Sequence, residues 1–163
     1  MKRKITIDYL YLDLQSCERC IGTDMKLEEV LRLIQPLMKL IDYQITYRKI
    51  EIQSIELAEK YHFLSSPTIH INDVDINSSV IESECDCCSS ISGAAVNCRV
   101  FKHEEHTYEI PTVEMLAEAI LKAIFCKEVV TRDNEYLLPQ NLRKFFEGKE
   151  KKNNQCSCKN DCC

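Results

Sequence analysis

Residues Asp13 to Asp24 read DLQSCERCIGTD, and the fold turns on how the two cysteines within them are placed. Cys17 and Cys20 stand two residues apart, after a strand-like run and before a long amphipathic stretch. That spacing suits a redox pair, half of a zinc site or two ordinary buried thiols. The flanking elements decide what the pair can reach.

Upstream, Ile5 to Leu14 alternates and is rich in β-formers, which predicts a first strand. Downstream, Leu27, Val30, Leu31, Ile34, Leu37, Met38 and Ile41 recur at i, i+3, i+4 and i+7. They predict a helix from Thr23 to Ile41, bent at Pro36. Gly22 followed by Thr23 or Asp24 reads as a break ahead of it, leaving Cys17 and Cys20 in a loop or separate turn. A helix beginning near Cys17 would instead bring free N–H groups and partial positive charge to that sulfur.

Tyr43 to Ile50 alternates as a second strand, and Ser54 caps a short helix reaching Tyr61 or His62. Thr68, Ile69 and Ile71 form a third strand opened by Pro67, and "NDVDIN" a short fourth. Residues 78–98 read as a cysteine-rich loop with one helical turn. A hairpin around Glu104 and Glu105 follows, and Pro111 introduces a helical stripe of Val113, Leu116, Ala117, Ile120, Leu121 and Ile124. Gln140 to Glu147 is a short amphipathic piece stopped at Gly148. Lys149 to Cys163 lacks apolar periodicity, so a disordered cysteine-rich tail is expected. The order of elements predicts an α/β domain over residues 1–126, with a mixed sheet flanked by helices and a cysteine-rich insertion at about 78–98. An extension at 127–148 and the tail at 149–163 complete the division.

The chain has 163 residues, 45% hydrophobic and 29% charged, with a net charge of −5. No apolar run approaches the roughly 18 residues of a membrane span. The start, "MKRKITIDYLYLDL", lacks the uncharged core of a signal peptide. Six Lys/Arg against three acids beyond Leu142 leave the rest of the chain strongly acidic, which argues against a nucleic-acid partner.

Eleven cysteines are the unusual feature. Without an export signal the expected location is the cytoplasm, where stable disulfides are rare and cysteine-rich chains bind metals or exchange thiols. Besides Cys17 and Cys20 there is a loop group, Cys85, Cys87, Cys88 and Cys98, and a tail group, Cys156, Cys158, Cys162 and Cys163. The loop group supplies the four thiols of a tetrahedral zinc site, though C-x-C-C-x9-C better suits soft ions content with two or three thiolates, such as Cu(I), Hg(II) or As(III), and the tail group reads as soft-metal ligands or exchangeable thiols. Cys126 ends an apolar helix and reads as a small core residue. His70 reads as facing solvent or a neighbouring element, and His103 and His106 as flanking a hairpin turn; none reads as a ligand.

The order β-(CxxC)-α-β-α-(Pro)β-β-α, with "SSPTI" at Ser65 to Ile69, resembles the thioredoxin-like superfamily over roughly residues 1–126. More narrowly, the CxxC–SSPTI–CxCC pattern is similar to a little-characterised prokaryotic family of cysteine-rich thioredoxin-like proteins. The resemblance implies that Cys17 attacks and Cys20 resolves. It also implies that Ser66, Pro67 and Thr68 form a cis-proline segment beside them, offering backbone to a substrate. Such an enzyme exchanges with a protein or small-molecule thiol or disulfide and needs no cofactor. The aromatic residue and Gly-Pro of a typical thioredoxin site are missing here. The competing expectation is a soft-metal or metalloid binding protein (Hg, As, Cu or Zn) that delivers its cargo to a transporter or detoxifying enzyme.

Overall fold

β1 (Arg3–Tyr11) is the spine of the molecule, and its alternation divides the interior in two. Ile5, Ile7 and Tyr9 enter one core, whereas Leu10, and Leu12 just beyond the strand, enter another. The computed structural model describes residues 1–77, 79–126 and 135–157.

β1 pairs in parallel with β2 (Tyr43–Glu51), from Arg3 opposite Tyr43 to Tyr11 opposite Glu51. Parallel neighbours need a long crossover, and α1 (Glu18–Leu40) supplies it. β3 (Thr68–Ile71) runs antiparallel to β1 on its other side, and β4 (Val74–Asp75) pairs antiparallel with β3. The sheet order is therefore β2-β1-β3-β4, and the sheet is mixed, as expected. Between β2 and β3 lies α2 (Ile55–Lys60), where Ser54 Oγ accepts from Leu57 N at 3.3 Å. Bidentate bonds of 2.6 and 2.7 Å from Arg48 to the buried Asp8 tie β2 to β1.

α1 begins at Glu18, five residues earlier than the glycine suggests, and continues through Gly22 and Pro36. A β-carbon at Gly22 would run into the side chain of Ile110, so this glycine permits close packing instead of breaking the helix. Leu27, Val30, Leu31, Ile34 and Met38 face inward as the periodicity predicts; Leu37 and Ile41 stay exposed. α4 (Val113–Phe125), capped where Thr112 Oγ1 accepts from Met115 N at 3.2 Å, adds Leu116, Ile120 and Ile124 to the same aliphatic core.

The other half departs from the reading as a loop. β5 (Ile81–Glu84), β6 (Asn97–His103) and β7 (His106–Tyr108) form an antiparallel sheet, with α3 (Asp86–Ser92) between β5 and β6. The β6–β7 hairpin folds at Glu104 and Glu105, pairing His103 with His106. Arg99 N donates to Ser66 O at 2.7 Å, joining β6 to the segment before β3.

α5 (Gln140–Ser157) is the largest correction in the tail. It neither stops at Gly148 nor gives way to disorder at Lys149. A β-carbon at Gly148 would collide with Ser92 O, so that glycine lets α5 press against α3. Leu142, Phe145 and Phe146 anchor the helix in the second core. Lys152 Nζ donates to Ser90 O further along it, and Lys and Glu around it are good helix formers. Cys158 to Cys163 lie outside the described residues.

Two smaller readings are also decided, the first of them as a correction. Cys126 is exposed at the end of α4, which turns only its Leu116, Ile120 and Ile124 stripe inward. His70 is buried, because β3 is covered on both faces. Among the described residues, no helix is long and apolar enough to cross a membrane.

A candidate thiol centre built from two chain segments

Asp13 organises the approach to α1. Its Oδ2 accepts from Ser16 N at 2.6 Å, Ser16 Oγ at 2.8 Å and Cys17 N at 3.0 Å. These bonds hold Cys17 as the N-cap in extended conformation, with Ile21 N donating to Cys17 O at 2.9 Å. The helix does begin at the first cysteine, and its partial positive charge lies beside that sulfur. Cys20, in the first turn, sits 3.2 Å from Ser66 Oγ, and its carbonyl accepts from Tyr9 OH at 2.6 Å.

The same construction occurs a second time. Cys85 leaves β5 in extended conformation and caps α3, with Cys88 three residues on. The sequence Cys85-Asp86-Cys87-Cys88 thus contains another C-x-x-C, placed like the first between a strand and a helix. Grouping 85, 87, 88 and 98 as one loop cluster hides this repetition. The spacing was the signal that could have revealed it.

The sulfurs of Cys17, Cys85 and Cys88 all lie within 4.8 Å of one another, with Cys17 and Cys88 at 4.0 Å. Cys98 on β6 adjoins this trio, its Sγ 3.3 Å from that of Cys88. Cys17, Cys20, Cys88 and Cys98 are wholly buried, Cys85 nearly so, and none is in a disulfide. The two groups separated in the sequence therefore form one centre. Cys87 remains outside it and half-exposed. Among the described residues no tail thiol joins it: Cys158, Cys162 and Cys163 lie outside them, and of Cys156 only the helical backbone is described.

Arg19 holds the two segments together. Its guanidinium donates to Ser83 O at 3.2 Å, Cys98 O at 3.3 Å, Glu84 O at 2.6 Å and Glu109 Oε1 at 2.7 Å. It clasps β5 and β6 to the start of α1. Nothing local in the sequence signals this, because all its partners are distant in the chain.

Crowding of thiols sets their acidity. Hydrogen bonds from Cys20, then Cys85, Cys88 and Cys98, hold Cys17 far below the usual thiol range, against the opposing effect of burial. Cys20 is raised in turn, by Cys17 first and then by burial. Cys17 also pushes Cys85 up, but Cys88 and Cys98 more than offset it and bring Cys85 to about 7. Cys88 and Cys98 are both raised, with Cys17 the leading cause for each. Negative charge in the cluster therefore gathers on Cys17, at the helix terminus.

The chemistry fits a thiophilic ion. Metal–sulfur bonds of about 2.3 Å in trigonal or tetrahedral geometry separate the sulfurs by roughly 3.8–4.0 Å, and Cys17 and Cys88 already have that spacing. Ser66, whose Oγ is 3.2 Å from the Cys20 sulfur, is buried together with Pro67 and Thr68, and the Ser66–Pro67 bond is cis. The Ser66 carbonyl is occupied by Arg99 N of the chain's own β6.

Fold and site together define a cysteine-rich mixed α/β domain with a buried thiol group that can hold a metal ion. Residues 5–120 match a domain of unknown function (DUF2703), and the chain belongs to that family. Neither curated proteins nor solved structures gave a match.

Proposed function

We propose that the protein captures a soft metal or metalloid ion through Cys17, Cys85 and Cys88. The observation that carries this reading is the meeting of three buried sulfurs from two distant segments within 4.8 Å. Soft thiolate sites select ions such as Cu(I), Zn(II), Hg(II) or As(III) over harder ions. Full-length protein, purified under reducing conditions with the four tail cysteines replaced by serine, should bind one equivalent of such an ion. X-ray absorption should report sulfur ligands. At a hundred times its Kd, the ion should stabilise the fold by about 2.7 kcal/mol, and Cys85→Ser should remove that increment. No sulfur-ligated binding of any of the four ions would sink the proposal.

A second reading, thioredoxin-like thiol–disulfide exchange, is supported by Cys17 at a helix N-terminus and by Cys20 in the first turn, its sulfur 3.2 Å from the Oγ of Ser66, which precedes the cis-proline Pro67. In it the Cys17 thiolate attacks a substrate disulfide and Cys20 resolves the mixed disulfide. Burial of both sulfurs favours the metal reading, because a protein substrate cannot reach them without local opening. The four cysteines of the tail would serve as further ligands under either reading.

A further inference from the structure

Cys88 belongs to two groups at once. It is a member of the trio with Cys17 and Cys85, and its sulfur is 3.3 Å from that of Cys98, which is not a member. Going from 3.3 Å to a disulfide of roughly 2.0 Å requires a relative movement of about 1.3 Å, within reach of side-chain rotation. From this we infer that Cys88 and Cys98 are a disulfide-forming pair whose oxidation withdraws Cys88 from the ion site. The inference rests on the proposed metal reading only for its consequence; the pair itself follows from the sulfur positions.

The oxidant is a small hydroperoxide, because both sulfurs are fully buried and a protein disulfide has no approach to them. Cys88, whose thiol donates toward the Cys17 sulfur at 4.0 Å, passes its proton there and attacks a peroxide oxygen as thiolate. The O–O bond breaks, hydroxide leaves and takes up that proton as water, and the attacking sulfur becomes a sulfenic acid. The second thiol attacks that sulfur, the S–S bond forms, and hydroxide departs with the second thiol's proton as another water. Two thiols and one hydrogen peroxide give one disulfide and two waters, with two electrons passing from sulfur to oxygen.

Loss of Cys88 leaves the site two thiols, Cys17 and Cys85. The ion then loses a third of its coordination, and a ligand set of three becomes a weaker set of two. Arg19 sharpens the effect. It binds the Cys98 carbonyl and the Glu84 carbonyl next to Cys85, so the oxidised pair and the remaining ligands are held on one clasp. An oxidative signal at Cys88 and Cys98 is thereby converted into release of cargo without unfolding of the domain.

The test uses the full-length protein with the four tail cysteines replaced by serine. Metal-free protein is treated with hydrogen peroxide and its disulfides are mapped by peptide mass spectrometry. A Cys88–Cys98 linkage is expected as the first product. A Cys17–Cys20 linkage formed first would overturn the inference and favour the exchange reading. The same protein loaded with Zn(II) is then oxidised, and free Zn(II) is followed with a chromogenic chelator. Release should rise in step with the disulfide, and Cys98→Ser should bind Zn(II) normally but release it at least ten-fold more slowly. Equally fast release from Cys98→Ser would overturn the gating. Cys87→Ser is the control for thiols outside the pair and should behave as wild type. If Zn(II) never binds but the Cys88–Cys98 disulfide forms, the metal reading fails and the gating falls with it, while the redox pair stands.

Discussion

The two cores on either side of β1 solve the same problem with different materials. One, beneath α1 and α4, is filled by Ile5, Ile7, Leu27, Val30, Ile34, Leu116 and Ile120. The other, between α3 and α5, packs Leu10, Leu12, Phe63, Phe145 and Phe146 around Cys17, Cys20, Cys85, Cys88 and Cys98. Aliphatic side chains give burial and nothing more. Thiols are nearly as apolar when protonated, yet each can ionise, ligate or form a covalent bond. A core lined with them is stable enough to fold and remains chemically addressable.

The contrast can be broken most forcefully from the aliphatic side. Leu27 is wholly buried beneath α1, and Leu27→Ala should cost about 3 kcal/mol in urea unfolding. The gain in stability on adding a thiophilic ion should be the same in this variant as in wild type. A matching loss of ion response would mean that the cores are not independent.

Arg19→Met gives the next effect. It removes four hydrogen bonds, three of them to backbone carbonyls of β5 and β6, and should cost about 2 kcal/mol. Ion affinity should fall as well, because Cys85, next to the Glu84 carbonyl that Arg19 binds, loses its tether to Cys17. Arg19→Lys should recover part of the stability and less of the affinity, since ammonium lacks the planar fork. Unaltered affinity in Arg19→Met would show that hydrophobic contacts alone hold the segments together.

The smallest effect is one of pH. Burial lowers the pKa of His70, and Arg99 acts in the same direction; Asp75, Asp8 and Asp73 oppose them. The unfolded chain therefore takes up a proton near pH 6.5 that the folded chain refuses, and stability falls as pH drops through that value. His70→Gln should flatten this part of the stability–pH curve. An unchanged slope would assign it to other groups.

The aliphatic half was legible in the sequence because its signals are periodic. Leu27, Val30, Leu31, Ile34 and Met38 announce one helix; Leu116, Ile120 and Ile124 announce another. The thiol half was not, because small polar residues and cysteines do the work that aliphatics do elsewhere. α3 is Asp-Cys-Cys-Ser-Ser-Ile-Ser, buried through Cys88 and Ser92. α5 outlasts its amphipathic stretch because Gly148 fits against Ser92, a contact between residues far apart in the chain. Cys17, Cys20 and the Ser66–Pro67 bond were visible as a pattern. Their junction with Cys85 and Cys88 depended on β5, whose Ile-Glu-Ser-Glu gives little strand signal.

The absence of solvent at Cys17 and Cys88 governs time as well as affinity. Phe145 and Phe146 share the buried core of the thiols, and Asn141 Oδ1 accepts from Asn97 N at 2.9 Å, so a ligand would exchange only when this packing locally opens. An ion held there would enter and leave through the same opening, set by helix packing, and the strength of the sulfur bonds would decide how many openings it survives. Residence in such a site would be timed in part by the protein, and substitutions on the buried face of α5, at Leu142, Phe145 or Phe146, would adjust its clock.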